Sequence, residues 1–260
     1  MAVFLAGLVV GWALVGPLIE LAARAGAVRA NYRGDGVPTS GGVVFVLTTV
    51  FTLVPVLLVD GNPEVMGGLT IALGMGFVGF LDDAWGLEGA KGFRGHLAML
   101  FRGRVSTGLL KALLGGLVSL AAVATCGFEG PELLARAAVV ALSANALNQL
   151  DLRPGRAASV FALGASLIAL AGFRSPVILS PLGAVLAYLP RDEAGEVMMG
   201  DTGANILGGL LGLALALFAG AGLYLILAGL VAFNLVADSM SLTKLLQALR
   251  SKRDFSDNGE

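Results

Sequence analysis

Residues 66–83 read MGGLTIALGMGFVGFLDD, an uncharged apolar run of 16 residues that passes directly into Asp82 and Asp83. The run fits a short transmembrane helix, for which about 20 apolar residues span the hydrocarbon core. The two carboxylates are the anomaly. They repel each other, and they sit at a helix C-terminus, where the macrodipole is already negative. Everything around this stretch bears on whether it crosses a membrane and what its acids face.

The surrounding composition answers the first question. The 260 residues are 57% hydrophobic and only 13% charged, with a mean hydropathy of +0.86. Soluble domains carry roughly a quarter charged residues. The 38 glycines suit membrane helices that pack backbone against backbone. A net charge of -1 speaks against nucleic-acid binding, which needs a basic field. One cysteine (Cys126) and one histidine (His96) exclude a disulfide framework and a histidine-rich metal centre.

Further uncharged stretches lie at about 2–23, 41–59, 107–127, 133–150, 157–173 and 175–190. The run from about 202 to 245 holds two more, broken near Gly220-Ala221-Gly222. The expected fold is therefore all-α: a polytopic integral membrane protein of about nine transmembrane helices in one domain over 1–260, with no convincing internal repeat. The first helix has no basic residue before Arg24, so it does not read as a cleavable signal peptide. An N-terminus outside and a C-terminus in the cytoplasm put all the Lys and Arg except Arg136 and Arg174 at or near the inner face, as the positive-inside rule requires. The cytoplasmic elements include a basic loop over 82–106 and a charged tail over 246–260. In the loop, Lys91, Arg94, Arg102 and Arg104 interleave with Phe and Leu, as in an interfacial segment touching anionic headgroups. His96 reads as a solvated loop residue rather than a ligand.

With this threading the unusual carboxylates fall on one face. Asp82 and Asp83 end helix 3, Asp151 ends helix 5, and Asp201 begins helix 8. Acids at helix C-termini call for a compensating cation. Mg²⁺ suits the case, because it takes one or two carboxylates plus substrate phosphates. Asp201 reads equally well as a helix N-cap. Asn145, Asn148 and Asp151 form a polar stripe at three-residue spacing, facing either a cavity or a neighbouring helix. Lys111, about one turn into helix 4, either snorkels to headgroups or neutralises a phosphate or carboxylate.

Four stretches resemble the polyprenyl-phosphate N-acetylhexosamine-1-phosphate transferase superfamily, in family order. Pro38-Thr39-Ser40-Gly41-Gly42 is similar to its Pro-Thr-x-Gly-Gly, and Asp82-Asp83 to its aspartate pair. Asn145-Ala146-Leu147-Asn148-Gln149-Leu150-Asp151 is similar to its Asn-x-x-Asn-x-x-Asp, and Gly200-Asp201-Thr202-Gly203 to its Gly-Asp-x-Gly. The resemblance implies transfer of a sugar 1-phosphate from a UDP-sugar to a polyprenyl phosphate, with release of UMP, at the cytoplasmic face of the cell membrane in envelope-polymer synthesis. It implies Mg²⁺ as cofactor, held by Asp201 and Asp82. It gives catalytic roles to Asp82, Asp83, Asp151 and Lys111, and substrate contacts to Asn145, Asn148 and Thr39. Family members dimerise, and Gly7-x-x-x-Gly11 or Gly208-x-x-x-Gly212 offers a small-residue face for a second copy or for intramolecular packing.

Two departures bear on the donor. Pro154 stands where the family has a second Asp tied to nucleotide recognition, and the His-rich loop and final helix of the family have no counterpart before Glu260. The resemblance is thus to a shortened, divergent member. The alternative function is a non-catalytic relative that binds polyprenyl phosphate or envelope-assembly partners.

Overall fold

A computed structural model describes residues 1–31, 33–85 and 107–239. Most of the basic loop expected over 82–106, His96 with it, and the tail over 246–260 lie outside the described residues. Among the described residues there are nine α-helices: α1 Ala2–Arg24, α2 Val43–Asp60, α3 Pro63–Trp85, α4 Thr107–Thr125, α5 Gly130–Leu150, α6 Arg156–Leu170, α7 Pro176–Glu193, α8 Gly200–Phe218 and α9 Leu223–Ser239. A 3-10 turn at Gly220–Gly222 separates the last two, at the break expected from the sequence. Seven of the nine are long and apolar enough to cross a membrane. The exceptions are α6 and α7. With 15 residues, α6 is only about 22 Å long at 1.5 Å per residue.

The bundle is organised around α8. Of its apolar window 72% is buried, against 17% for α1 and α4 and 11% for the α9 region. The outer helices turn large apolar side chains outward, among them Trp12, Leu113 and Leu225. In lipid that outward face is the expected one, because the surrounding solvent is itself apolar.

Small residues set how closely the helices approach. A Cβ on Gly208 would lie 2.6 Å from Ala144 Cα, and one on Gly212 would lie 2.8 Å from Val140 Cα, so both glycines seat α8 on α5. Gly7 and Gly11 do the same for α1, against the backbone of Ser180 and Ala184 on α7. Both small-residue motifs are therefore used within the chain.

The exceptional Arg136 also has an explanation. It is buried in α5, where Nε and Nη2 donate to Glu132 at 3.0 and 2.5 Å. Its Nη1 donates to the carbonyl of Ala216 in the last turn of α8, and the guanidinium lies 3.9 Å from the Phe128 ring centroid. A cation at a helix C-terminus offsets the macrodipole and satisfies a carbonyl with no partner in its own helix.

One element was not legible in the sequence. The segment after α1 forms an antiparallel hairpin, β1 Val28–Ala30 with β2 Gly36–Pro38, pairing Arg29 with Val37. The chain leaving β2 is then stitched to the approach to α8. Met198 N–H donates to the Pro38 carbonyl at 2.8 Å, Gly41 N–H to Met198 at 3.0 Å and Gly42 N–H to Met199 at 2.9 Å.

Candidate active site

The stitching brings Pro38-Thr39-Ser40-Gly41-Gly42 against Gly200-Asp201-Thr202. The C-terminus of α3 arrives beside them because Gly79 has no side chain: a Cβ there would lie 2.5 Å from the Asp201 carbonyl oxygen and the Thr202 Cα. The N-terminus of α4 and the C-terminus of α5 close the group. Four of the sequence motifs thus meet at one end of the bundle.

At the centre is the Lys111 ammonium. It hydrogen-bonds to Asp201 Oδ2 and lies 3.6 Å from Asp82 Oδ2. The Asn148 amide satisfies its neighbours in one orientation, with nitrogen donating to Asp201 Oδ1 at 2.7 Å and oxygen accepting from Lys111 at 3.0 Å. Lys111, Asp82 and Asp201 side chains keep relative exposures of 19%, 22% and 27%, so the cluster is sheltered yet open to a ligand.

Asp83 points elsewhere. Its Oδ1 accepts the Asp201 N–H at 2.9 Å, and its Oδ2 accepts the Thr202 N–H at 3.1 Å and the Thr202 hydroxyl at 2.5 Å. The Ser40 hydroxyl donates to the same Oδ2 at 3.4 Å. Its main-chain carbonyl accepts from Arg29 of the hairpin. The N-cap reading of Asp201 is therefore corrected: Met199 holds the N-cap position without a side-chain bond, and the acceptor for the first-turn amides comes from α3. Ser40, at φ +59, Thr202 and Arg29 are site residues that the motifs alone did not single out.

Asp151 is the C-cap of α5. Burial first, then the neighbouring carboxylates of Asp192, Asp201 and Asp83, push its carboxyl well above the ordinary range, against a hydrogen bond from Gly200 N–H. Asp192, beyond Pro190 in the last turn of α7, is pushed up to about 6, mainly by burial. It accepts the Gly155 N–H at 3.2 Å and so pins the loop that follows Asp151. In the sequence, Arg191-Asp192-Glu193 looks like ordinary loop charge.

One expected substrate contact, Asn145, is engaged away from the cluster. Asn145 donates to Asn234 of α9 at 2.6 Å, and Asn234 in turn donates to the carbonyls of Leu142 and Leu230. That is the helix-to-helix use of the polar stripe. Thr39 is buried beside Ser40, and its N–H donates to the Ala27 carbonyl.

The donor set fits a hard divalent cation. Asp82, Asp201 and the Asn148 oxygen already surround one positive charge, and oxygen donors of this kind suit Mg²⁺. Among the described residues no group of three or more His, Cys, Asp or Glu is arranged to hold a metal.

This cluster lies mostly within the stretch matched by a family model. Residues 65–220 match glycosyl transferase family 4. The chain belongs to that family. Among its relatives is a phospho-N-acetylmuramoyl-pentapeptide-transferase of Clostridium perfringens, 29% identical over 226 residues that cover 78% of this chain and 66% of that one. The enzyme of the same name from Staphylococcus haemolyticus is 26% identical over 246 residues, covering 87% and 76%. That from Deinococcus radiodurans is 30% identical over 231 residues, covering 80% and 72%. The chain thus spans about two thirds to three quarters of these relatives. Membership of the family confirms the resemblance read from the motifs.

Proposed function

We propose that the protein transfers a sugar 1-phosphate from a UDP-linked donor to a polyprenyl phosphate at the cytoplasmic face of the cell membrane. The observation that carries this reading is the convergence of Asp82, Asp201 and Asn148 on the Lys111 ammonium. Membership of glycosyl transferase family 4 and relatives named for transfer of a phospho-N-acetylmuramoyl-pentapeptide support a phosphosugar transfer. The distribution of Lys and Arg supports the cytoplasmic side.

An oxygen of the lipid phosphate attacks the β-phosphorus of the donor and forms a new P–O bond. The bond from that phosphorus to the oxygen bridging the α-phosphate breaks, and its electron pair leaves on UMP. Such transfers depend on positioning and on fixed positive charge, with little covalent work for the protein. Lys111 supplies a fixed cation to the phosphoryl oxygens. A phosphate monoester has a second pKa of about 6, so Asp82 need accept only a residual proton from the nucleophile. Asp151, its carboxyl pushed up by burial and by its acidic neighbours, lies at the donor side of the cluster, and Asn148 orients the diphosphate. Mg²⁺ held by Asp82 and Asp201 would add charge stabilisation at the transferring phosphoryl group.

Phe77 and Phe80 on α3, and Leu110 and Leu113 on α4, are exposed, and in the bilayer an isoprenoid chain can lie along such apolar helix faces.

The test is exchange of labelled UMP into a panel of UDP-sugars by purified protein in lipid with Mg²⁺ and polyprenyl phosphate. Exchange that requires the lipid phosphate supports the reading. Pro154, in place of the family's second Asp, favours the alternative of a non-catalytic lipid-phosphate binder. Binding of the lipid without exchange on any donor would establish that alternative instead.

A further inference from the structure

The adjacent acids Asp82 and Asp83 have different surroundings, and the difference assigns them different work. Successive residues on a helix point about 100° apart. Asp82 faces Lys111 at 3.6 Å. Asp83 faces the start of α8, where four donors converge on it: the N–H groups of Asp201 and Thr202 and the hydroxyls of Thr202 and Ser40. A carboxylate has about four lone-pair sites, so this one is saturated by the protein itself.

The fold reserves the space it occupies. Gly200 has φ +71, and a Cβ there would lie 2.7 Å from Asp83 Oδ2 and 2.9 Å from Oδ1. The first-turn amides of α8 have no carbonyl partner in their own helix, and the N-cap position supplies no side chain to them. The charge of Asp83 is also of the right sign for a helix N-terminus. Moreover, the amide of Asp201 that Asp83 holds belongs to the residue whose carboxylate meets Lys111 and Asn148.

We infer that Asp83 is a positioning residue: it caps α8 from α3 and thereby fixes the Asp201 carboxylate in the cluster, while Asp82 alone of the pair is offered to the ligand. The part that concerns transfer rests on the proposed function, but the capping does not.

The experiment compares Asp83→Asn with the wild type and with Asp82→Asn. The asparagine keeps the shape but turns an NH₂ toward the α8 donors. Amide hydrogen exchange in the peptide covering 200–204 should accelerate at least tenfold in Asp83→Asn and stay unchanged in Asp82→Asn. Where transfer is measurable, Asp83→Asn should lower kcat on the order of a hundredfold with KM for the lipid phosphate nearly unchanged. Thr202→Val, a milder disruption of the same cap, should add little to that loss in the double variant.

Unchanged exchange at 200–204, a loss confined to KM, or fully multiplying losses with Thr202→Val would each overturn the inference. Accelerated exchange in a protein that transfers no sugar phosphate would leave the cap standing and remove the proposed function instead.

Discussion

The Lys111 ammonium of α4 is bonded to the Asp201 carboxylate of α8, so a basic side chain occupies the centre of the oxygens best suited to a divalent cation. A cation bound to Asp82 and Asp201 must share or replace the ammonium.

Lys111→Met should therefore tighten binding of Mn²⁺, used as a spectroscopic substitute for Mg²⁺, in the absence of substrate. Removing a unit charge about 4 Å away changes the interaction by roughly 1–4 kcal/mol, depending on the local dielectric, so the dissociation constant should fall about fivefold or more. Turnover should fall on the order of a hundredfold, because a charge aimed at the phosphoryl group is lost. Electron paramagnetic resonance titration reads the first effect. An unchanged affinity would mean that the ammonium and the ion do not compete.

Asp201→Asn should act in the opposite sense on the ion. It keeps the shape and removes the charge, so Mn²⁺ affinity and turnover should both drop while the protein still elutes as a folded species in detergent. Normal Mn²⁺ affinity in this variant would remove Asp201 from the proposed cation site.

Gly79→Ala tests the close approach of α3 and α8. Its Cβ would lie 2.5 Å from the Asp201 carbonyl oxygen and the Thr202 Cα, and forced overpacking costs about 1–3 kcal/mol. Gly116→Ala, where a Cβ would meet nothing within 4 Å, is the control. Thermal unfolding in detergent should show a lower midpoint for the first and none for the second. Equal midpoints would mean that α3 can move aside without cost.

Asp192 gives a pH dependence. Its folded-state value of about 6 lies above the ordinary 3.8, so the folded protein binds this proton more tightly than the unfolded chain does. The stability tied to that proton is complete below about pH 4 and is lost as the pH rises through 6, a change of about 3 kcal/mol. Asp192→Asn cannot ionise, and its side-chain oxygen can still accept the Gly155 N–H. The difference in unfolding midpoint between variant and wild type should therefore shift in the variant's favour between pH 4.5 and 7. A difference that stays constant over that range would contradict the assignment.

The sequence displayed the helices well, because uncharged runs and the placement of Lys and Arg both follow from the cost of charge in lipid. Asp82, Asp201 and Lys111 were legible for the same reason, as charges at the ends of apolar helices. What could not be read was direction. Asp82 and Asp83 are neighbours of identical chemistry, and only the packing of α3 on α8 turns one toward Lys111 and the other toward Thr202. Asn145 and Asn148 were likewise equivalent in the stripe until α9 supplied Asn234 for one of them. The 28–38 hairpin escaped because its strands are three residues each and much of its stitching is backbone to backbone, which leaves little side-chain pattern.

The two ends of α8 have a consequence for how the protein is made. Its first-turn amides depend on Asp83 of α3, and the Ala216 carbonyl in its last turn depends on Arg136 of α5. Both partners are translated before α8. The most enclosed helix of the bundle therefore leaves the ribosome after the groups that receive it have been synthesised, and it can be lodged between them as it enters the bilayer.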